Sequence, residues 1–162
     1  MNIQYVYNDI DSVNKIYSTF DKQDKYFVNA GRPHRSKYII NPKGDFATKY
    51  IKEDDFGIIV TMMMDDIPVA YACCMRAYDT DKKEYTTECD IDFGVHKDYR
   101  RRGFGKKIIS HLLSILKRYN KYQTINWYTL DENKSSNALA SKFGFKYVDS
   151  NKNVKHYVYT KR

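Results

Sequence analysis

One stretch, Glu88 to Asn120, constrains this chain more than any other: a strand-like run, a tight basic turn and a long amphipathic helix follow one another without interruption. Cys89, Ile91, Phe93 and Val95 alternate with Glu88, Asp90, Asp92 and Gly94, the period-2 pattern of a half-buried strand. After Arg100-Arg101-Arg102-Gly103-Phe104-Gly105, the residues Phe104, Ile108, Ile109, Leu112, Leu113 and Leu116 recur at the spacing of one helical face. A strand therefore feeds a helix through glycine. Gly103 and Gly105 leave no side chain over the first turn, where four backbone N–H groups lack partners and can cradle an anion. Lys97, Arg100, Arg101, Arg102, Lys106 and Lys107 surround that turn, and a pyrophosphate suits it.

Strand, R-x-x-G-x-G and helix, here Val95 to Gly105, resemble the acyl-CoA-binding signature of the GNAT superfamily of N-acyltransferases. The run from Asn133 through Ser136, Leu139, Ala140, Lys142, Phe143 and Gly144 to Phe145 resembles the second signature of that family, an Asn opening a helix that ends in K-x-G-F. Upstream, Gly57 to Met64, a turn at Asp65 to Pro68, and Val69 to Ala77 resemble its central hairpin. The resemblance spans about Gly57 to Val158 and touches the first third of the chain only loosely. It implies a mixed α+β fold: one domain over residues 1–162, with a central, mostly antiparallel sheet, helices on both faces, and strands splayed where acyl-CoA binds.

Length agrees with one domain, since a chain of 162 residues buries about 70% of its unfolded surface in a single core. The N-terminal residues lack a basic region followed by an apolar run, and no apolar stretch approaches the roughly 18 residues of a membrane span. A soluble, cytoplasmic protein without membrane association is expected, as either monomer or homodimer. Cys73, Cys74 and Cys89 are odd in number and have no metal-ligand spacing, so three reduced, mostly buried thiols and no metal are expected.

The formal charge of +8 is segregated. Residues 93–162 hold 16 Lys and Arg against 4 Asp and Glu, residues 25–52 hold 7 against 1, and the remainder holds 5 against 15. A phosphate-bearing donor accounts for part of the C-terminal excess. The basic 25–52 segment, with Arg32, His34, Arg35, Lys37 and Tyr38, leaves an anionic acceptor such as nucleic acid open.

Along the chain, Ile3 to Tyr7 reads as a strand and Ser12 to about Tyr26 as a helix capped by Asp9 or Asp11. Gly57–Met64, Val69–Tyr78 and Tyr85–Val95 read as an antiparallel meander. Beyond the long helix, Thr124–Leu130, Phe145–Val148 and Val154–Tyr159 read as strands, with a short helix over Ser135–Lys142. The passage from strand through helix to strand implies one parallel pair. Gly94 in mid-strand suggests a bulge.

Acyl transfer to an amine needs the free base, and removing a proton from an amine of pKa about 10.4 at pH 7 costs about 4.6 kcal/mol. Glu88, Asp90 and Asp92 stand on one strand face about 7 Å apart at neighbouring members, and mutual repulsion makes at least one easier to protonate. The resemblance makes Glu88 or Asp90 the general base, with Asp92 read as a solvated counter-charge. It further implies acetyl-CoA as co-substrate, held by Phe93, Val95, Arg100, Arg101, Arg102, Gly103, Phe104, Gly105, Lys106, Asn133 and Ser136. The acceptor is then an amine on a small molecule or a protein.

Where the family often carries a general-acid Tyr, this chain has Ala140. A thiol leaving group near pKa 8.5 lies only about 1.5 units above neutral, so the missing acid costs about 2 kcal/mol, and water, Ser136 or Tyr128 could protonate the thiolate. Two alternatives stand beside the enzyme reading: the same fold acting on nucleic acid or aminoacyl-tRNA, and a non-catalytic acyl-CoA-binding module.

Overall fold

The structure is a computed structural model that describes residues 2–28, 57–79, 82, 84–118 and 122–161. Alternating residues in β1 (Ile3–Tyr7), β2 (Gly57–Met64), β3 (Ile67–Asp79), β4 (Glu84–Val95), β5 (Thr124–Leu130), β6 (Lys146–Asn151) and β7 (Val154–Thr160) build one seven-stranded sheet. Its spatial order is β1-β2-β3-β4-β5-β7-β6. Every neighbouring pair is antiparallel except β4 and β5, the parallel pair joined through the long helix. The fold is mixed α+β, as expected.

Two hairpins are closed by residue pairs in the left-handed region, Asp65-Asp66 at φ 50° and 67° and Lys152-Asn153 at 50° and 69°. Asn and Asp tolerate that region because their short polar side chains bond locally, and such turns match the twist of the flanking strands.

The helical pattern before residue 28 divides into two elements, α1 (Ile10–Tyr17) and α2 (Lys22–Val28). Asp9 caps α1 through Ser12 N. The single helix expected from Ser12 to Tyr26 is broken because Ser18 and Thr19 turn their hydroxyls onto the carbonyls of Lys15 and Ile16, at 2.7 Å each. Asp21 and Asp24 then exchange side-chain-to-amide bonds of 3.0 and 2.8 Å, which restart the chain as α2.

Helix α3 (Phe104–Arg118) buries Phe104, Ile108, Ile109, Leu112, Leu113 and Leu116 on one face of the sheet. Each such side chain contributes about 1.5–3 kcal/mol. The short α4 (Lys134–Lys142) joins the same core through Leu139 and Ala140. On the opposite face, Val13, Ile16, Tyr17 and Phe20 pack against Ile59, Tyr71, Cys73 and Met75. The adjacent Cys73 and Cys74 thus serve opposite cores, and all three cysteines are buried and outside any disulfide. Among the described residues no helix is long and apolar enough to cross a membrane.

Gly94 is not at a bulge. The β3–β4 register runs unbroken through Ala72↔Phe93, Tyr71↔Gly94 and Ala70↔Val95, and its irregularity falls between Arg76 and Tyr78 instead. Glycine is needed at 94 because a Cβ there would stand 2.6 Å from Tyr71 Cε1 and 2.7 Å from Phe20 Cζ.

Candidate active site

The parallel ladder between β4 and β5 is short. It runs from Glu88↔Thr124 to Ile91↔Trp127 and stops there, although both strands continue. At that point the Trp127 ring meets Phe93 edge to face at 5.6 Å and Phe145 at 5.3 Å, while its Nε1–H donates to Ser136 Oγ at 2.9 Å.

Beyond the last rung opens a cleft of about 780 Å³. Because side chains alternate, both faces of the sheet contribute to it. Phe93, Val95, Trp127 and Thr129 line it with Gly103, Phe104, Gly105, Lys106, the α4 cap residue Asn133, and Ser136 and Leu139 of α4. Asp92, Gly94 and Tyr128 line it with Phe20, Asp24, Phe27 and Val28 of the α1–α2 segment.

The turn into α3 has the backbone its sequence requires. Arg101 and Gly103 take φ of 62° and 82°, and Gly103 O accepts from Lys107 N at 3.1 Å inside the first turn. A Cβ on Gly103 would meet nothing within 4 Å, so that glycine serves the left-handed backbone and an open approach. A Cβ on Gly105 would stand 3.4 Å from the Phe93 ring and 3.6 Å from Val95, narrowing the slot beside β4.

The three arginines diverge. Arg100 turns inward: its Nη1 donates to Asp24 Oδ1 at 2.8 Å, its Nε donates to Val95 O at 3.2 Å, and its guanidinium lies 5.2 Å from the Phe20 ring. Burial raises the Asp24 pKa, but hydrogen bonds from Arg100 and the Asp21 amide, with the Arg100 charge, leave it below the usual carboxylate value. Arg100 therefore fastens α2 to the cleft wall. Arg101 is exposed and lines the cleft, whereas Arg102 lies over the Tyr99 ring at 5.4 Å and is not part of the lining. Lys106 and Lys142 meet at the mouth, and the Lys142 ammonium pushes the Lys106 pKa below its ordinary value.

Asn133 caps α4 through Ser136 N at 3.4 Å, and Ser136 is buried beneath it. Ala140 is fully buried in the core, so no side chain reaches the cleft from the position where the resemblance leads one to look for a tyrosine. Thr129 is 2% exposed, and its Oγ1 has no hydrogen-bond partner among the described residues.

The acidic row needs one correction. Asp92, read from the sequence as a solvated counter-charge, is only 8% exposed and is the member of the row that lines the cleft. Glu88 and Asp90 stand outside the lining, further back along the same face, and both accept from Asn126 Nδ2, at 3.3 and 3.1 Å. Asn126 and Thr129 carry no signal in the sequence, since neither falls in a motif, whereas Lys142 is the Lys of the K-x-G-F run and lines the cleft. Arg32, His34, Arg35, Lys37 and Tyr38 lie outside the described residues.

A family model described as "Acetyltransferase (GNAT) family" matches residues 16–145. The chain belongs to the GNAT acetyltransferase family. N-alpha-acetyltransferase 50 of Danio rerio is 28% identical over 89 residues, 55% of this chain and 51% of that protein, so the chain spans about half the length of this curated relative. The GNAT domain of S. lividans PAT superposes with a TM-score of 0.72 at 13% identity, covering 98% of this chain and 89% of that one. The Campylobacter jejuni N-acetyltransferase PseH, solved in complex with acetyl coenzyme A, superposes with a TM-score of 0.61 at 13% identity, covering 99% and 100%. These superpositions establish the GNAT fold of the chain.

The residues present fit acetyl-CoA. The glycine turn is open, two ammonium groups crowd the mouth, and the slot beyond holds an unsatisfied buried hydroxyl.

Proposed function

We propose that this chain is an N-acetyltransferase that moves an acetyl group from acetyl-CoA to a primary amine by direct attack in a ternary complex. The observation that carries the reading is the break in the β4–β5 ladder, which opens a cleft lined from both faces of the sheet. A donor can enter from the glycine turn and an acceptor from the α1–α2 face, and the two can be bound together.

Acetyl-CoA supplies the activated acetyl thioester. Gly103, Phe104, Gly105 and Lys106 cradle its pyrophosphate with Arg101 and Lys142, Arg102 flanks the turn, and Arg100 braces the wall. Backbone groups of Phe93 and Val95, left without β5 partners, hold the pantetheine arm as an added strand would, with Asn133 and Ser136 opposite. The amine gives its proton to the acidic row, through water to Glu88 or Asp90, with Asp92 nearest the cleft. Ser136 or Tyr128 returns a proton to the departing thiolate.

A covalent cysteine intermediate is disfavoured. The neighbouring Cys74 thiol and burial push the Cys89 pKa well up, so it stays protonated and unreactive. The name of the Danio rerio relative makes a peptide α-amine the first acceptor to test.

The test is mass spectrometry after incubating the chain with labelled acetyl-CoA and small amines, peptides and tRNA. Label on an amine supports the reading; label only on tRNA, or on nothing, overturns it. Gly103→Glu, which puts bulk and negative charge in the cradle, is expected to abolish acetyl-CoA binding by calorimetry while the far-UV spectrum is kept. Unchanged affinity would remove the cofactor assignment.

A further inference from the structure

A polar chain crosses the α1 face of the sheet, outside the cleft lining. Asn126 on β5 is 3% exposed and pairs with Asp90 in the parallel ladder. Its Nδ2 donates to Glu88 Oε1 at 3.3 Å and to Asp90 Oδ1 at 3.1 Å. His156 on β7 approaches from the other side, with Nε2 2.8 Å from Asn126 Oδ1.

Chemistry fixes the direction of these bonds. Ionised carboxylates only accept, so the amide nitrogen must face them and spend both of its protons there. Asn126 Oδ1 is then an acceptor, and the proton on the His156 side sits on Nε2. The imidazole is held in plane by Tyr128, stacked at 4.4 Å and 11°, and its Nδ1 faces Asp149 Oδ1 of β6 at 3.7 Å. The groups around His156 are thus Asn126 and Tyr128 from β5, Asp149 from β6, and Glu88 and Asp90 of β4 beyond the amide.

We propose that Asn126, anchored by His156, is a positioning residue that bridges Glu88 and Asp90 and holds this carboxylate pair in the geometry in which it accepts the proton of the acceptor amine. The inference rests on the transferase reading. Two carboxylates drawn to one nitrogen repel each other, and the pair of N–H donors between them holds them in place against that repulsion. Without the bridge, the two side chains lose their fixed separation and orientation. His156 acts one step further out by fixing which way the amide faces. No proton passes through Asn126, which donates both hydrogens and keeps them.

The test compares Asn126→Leu, Asn126→Asp, His156→Gln and His156→Leu with the parent in an acetyl-transfer assay. In both Asn126 variants kcat is expected to fall about tenfold to a hundredfold. KM for acetyl-CoA stays unchanged, because Asn126 is not in the cleft lining. The Asp variant keeps the shape of Asn and serves if the Leu variant does not fold. His156→Gln, which retains a donor, recovers most of the activity that His156→Leu loses. Folded Asn126 variants with the parent's kcat would overturn the proposal, as would equal activity of the two His156 variants. Nitrogen-15 spectra give a readout besides activity: the parent imidazole should carry its proton on Nε2, and an Nδ1–H tautomer overturns the bridge. A parent that transfers acetyl to no amine while showing the Nε2–H tautomer overturns the transferase reading, and the role with it, but leaves the bridge standing as structure.

Discussion

Gly94→Ala tests whether the corner between the sheet and α1 is as tightly filled as the structure describes. The new Cβ would stand 2.6 Å from Tyr71 Cε1, 2.7 Å from Phe20 Cζ and 3.0 Å from Tyr71 Cζ, whereas carbon atoms settle at about 3.5–4.0 Å. Tyr71 is fully buried in β3 and cannot retreat. Phe20 presents only its ring tip, but that ring packs on Tyr17 at 5.4 Å and under Arg100 at 5.2 Å, so its displacement disturbs the Arg100–Asp24 ion pair as well. Overpacking of this kind costs about 1–3 kcal/mol. For a chain of this length that is a fall in Tm of about 2–10 °C. Calorimetric melting of the parent, Gly94→Ala, Phe20→Leu and the double variant measures it. The double variant should recover part of the loss, with a coupling of about 0.5–2 kcal/mol. Were the space beside Gly94 open, alanine, which the backbone there accepts, would stabilise the strand by about 0.5–1 kcal/mol and Phe20→Leu would not matter. A Tm at or above the parent's refutes the packing argument.

Thr129→Val removes an orphaned hydroxyl, so stability should hold or rise, while the Kd for acetyl-CoA, read by calorimetry, should rise about twofold to tenfold if that hydroxyl meets the cofactor; unchanged affinity would free Thr129 of any such role. His111 stacks on Tyr5 at 3.8 Å and meets Tyr7 Oη at 2.8 Å, and burial, with the charge of Arg118, holds its pKa below the ordinary 6.5. The unfolded chain then binds the proton more readily, so stability is lost as pH falls through 6.5 toward the folded value. Urea midpoints at pH 7.5 and 5 should fall less in His111→Gln than in the parent, and equal falls would exclude His111 as the cause.

Where periodicity is strong and the decisive contacts are local, the sequence announces the fold. β4, the glycine turn and α3 are legible because both the alternation and the helical stripe lie within one continuous run. The division of α1 from α2 was hidden because Val13, Ile16, Tyr17 and Phe20 keep a helical spacing across it. Only the reciprocal bonds of Asp21 and Asp24 show that the helix restarts. Arg100, Arg101 and Arg102 are chemically alike, and what singles out Arg100 is Asp24, 76 positions earlier in the chain. Asp92 is hard to place from the sequence for a similar reason. Its place on the strand face was plain, but its nearness to the cleft depends on where β5 stops pairing, which no residue of β4 encodes.

That stopping point is what lets two unlike environments meet. A complete β4–β5 ladder would leave the basic turn and the acidic row on opposite faces of a closed sheet. Because the last rung is Ile91↔Trp127, Asp92 is the first carboxylate beyond the closed part, while Asp90 and Glu88 remain behind paired backbone, bridged by Asn126. On the proposed reading this divides the row by task. Asp92 meets the acceptor at the opening, and the bridged pair one pleat back takes its proton through water. Slipping the β4–β5 register by one residue would set the acidic row against the other face of β5, since the pleat has period two. The site thus depends on the register of this single parallel pair more than on any one of its side chains.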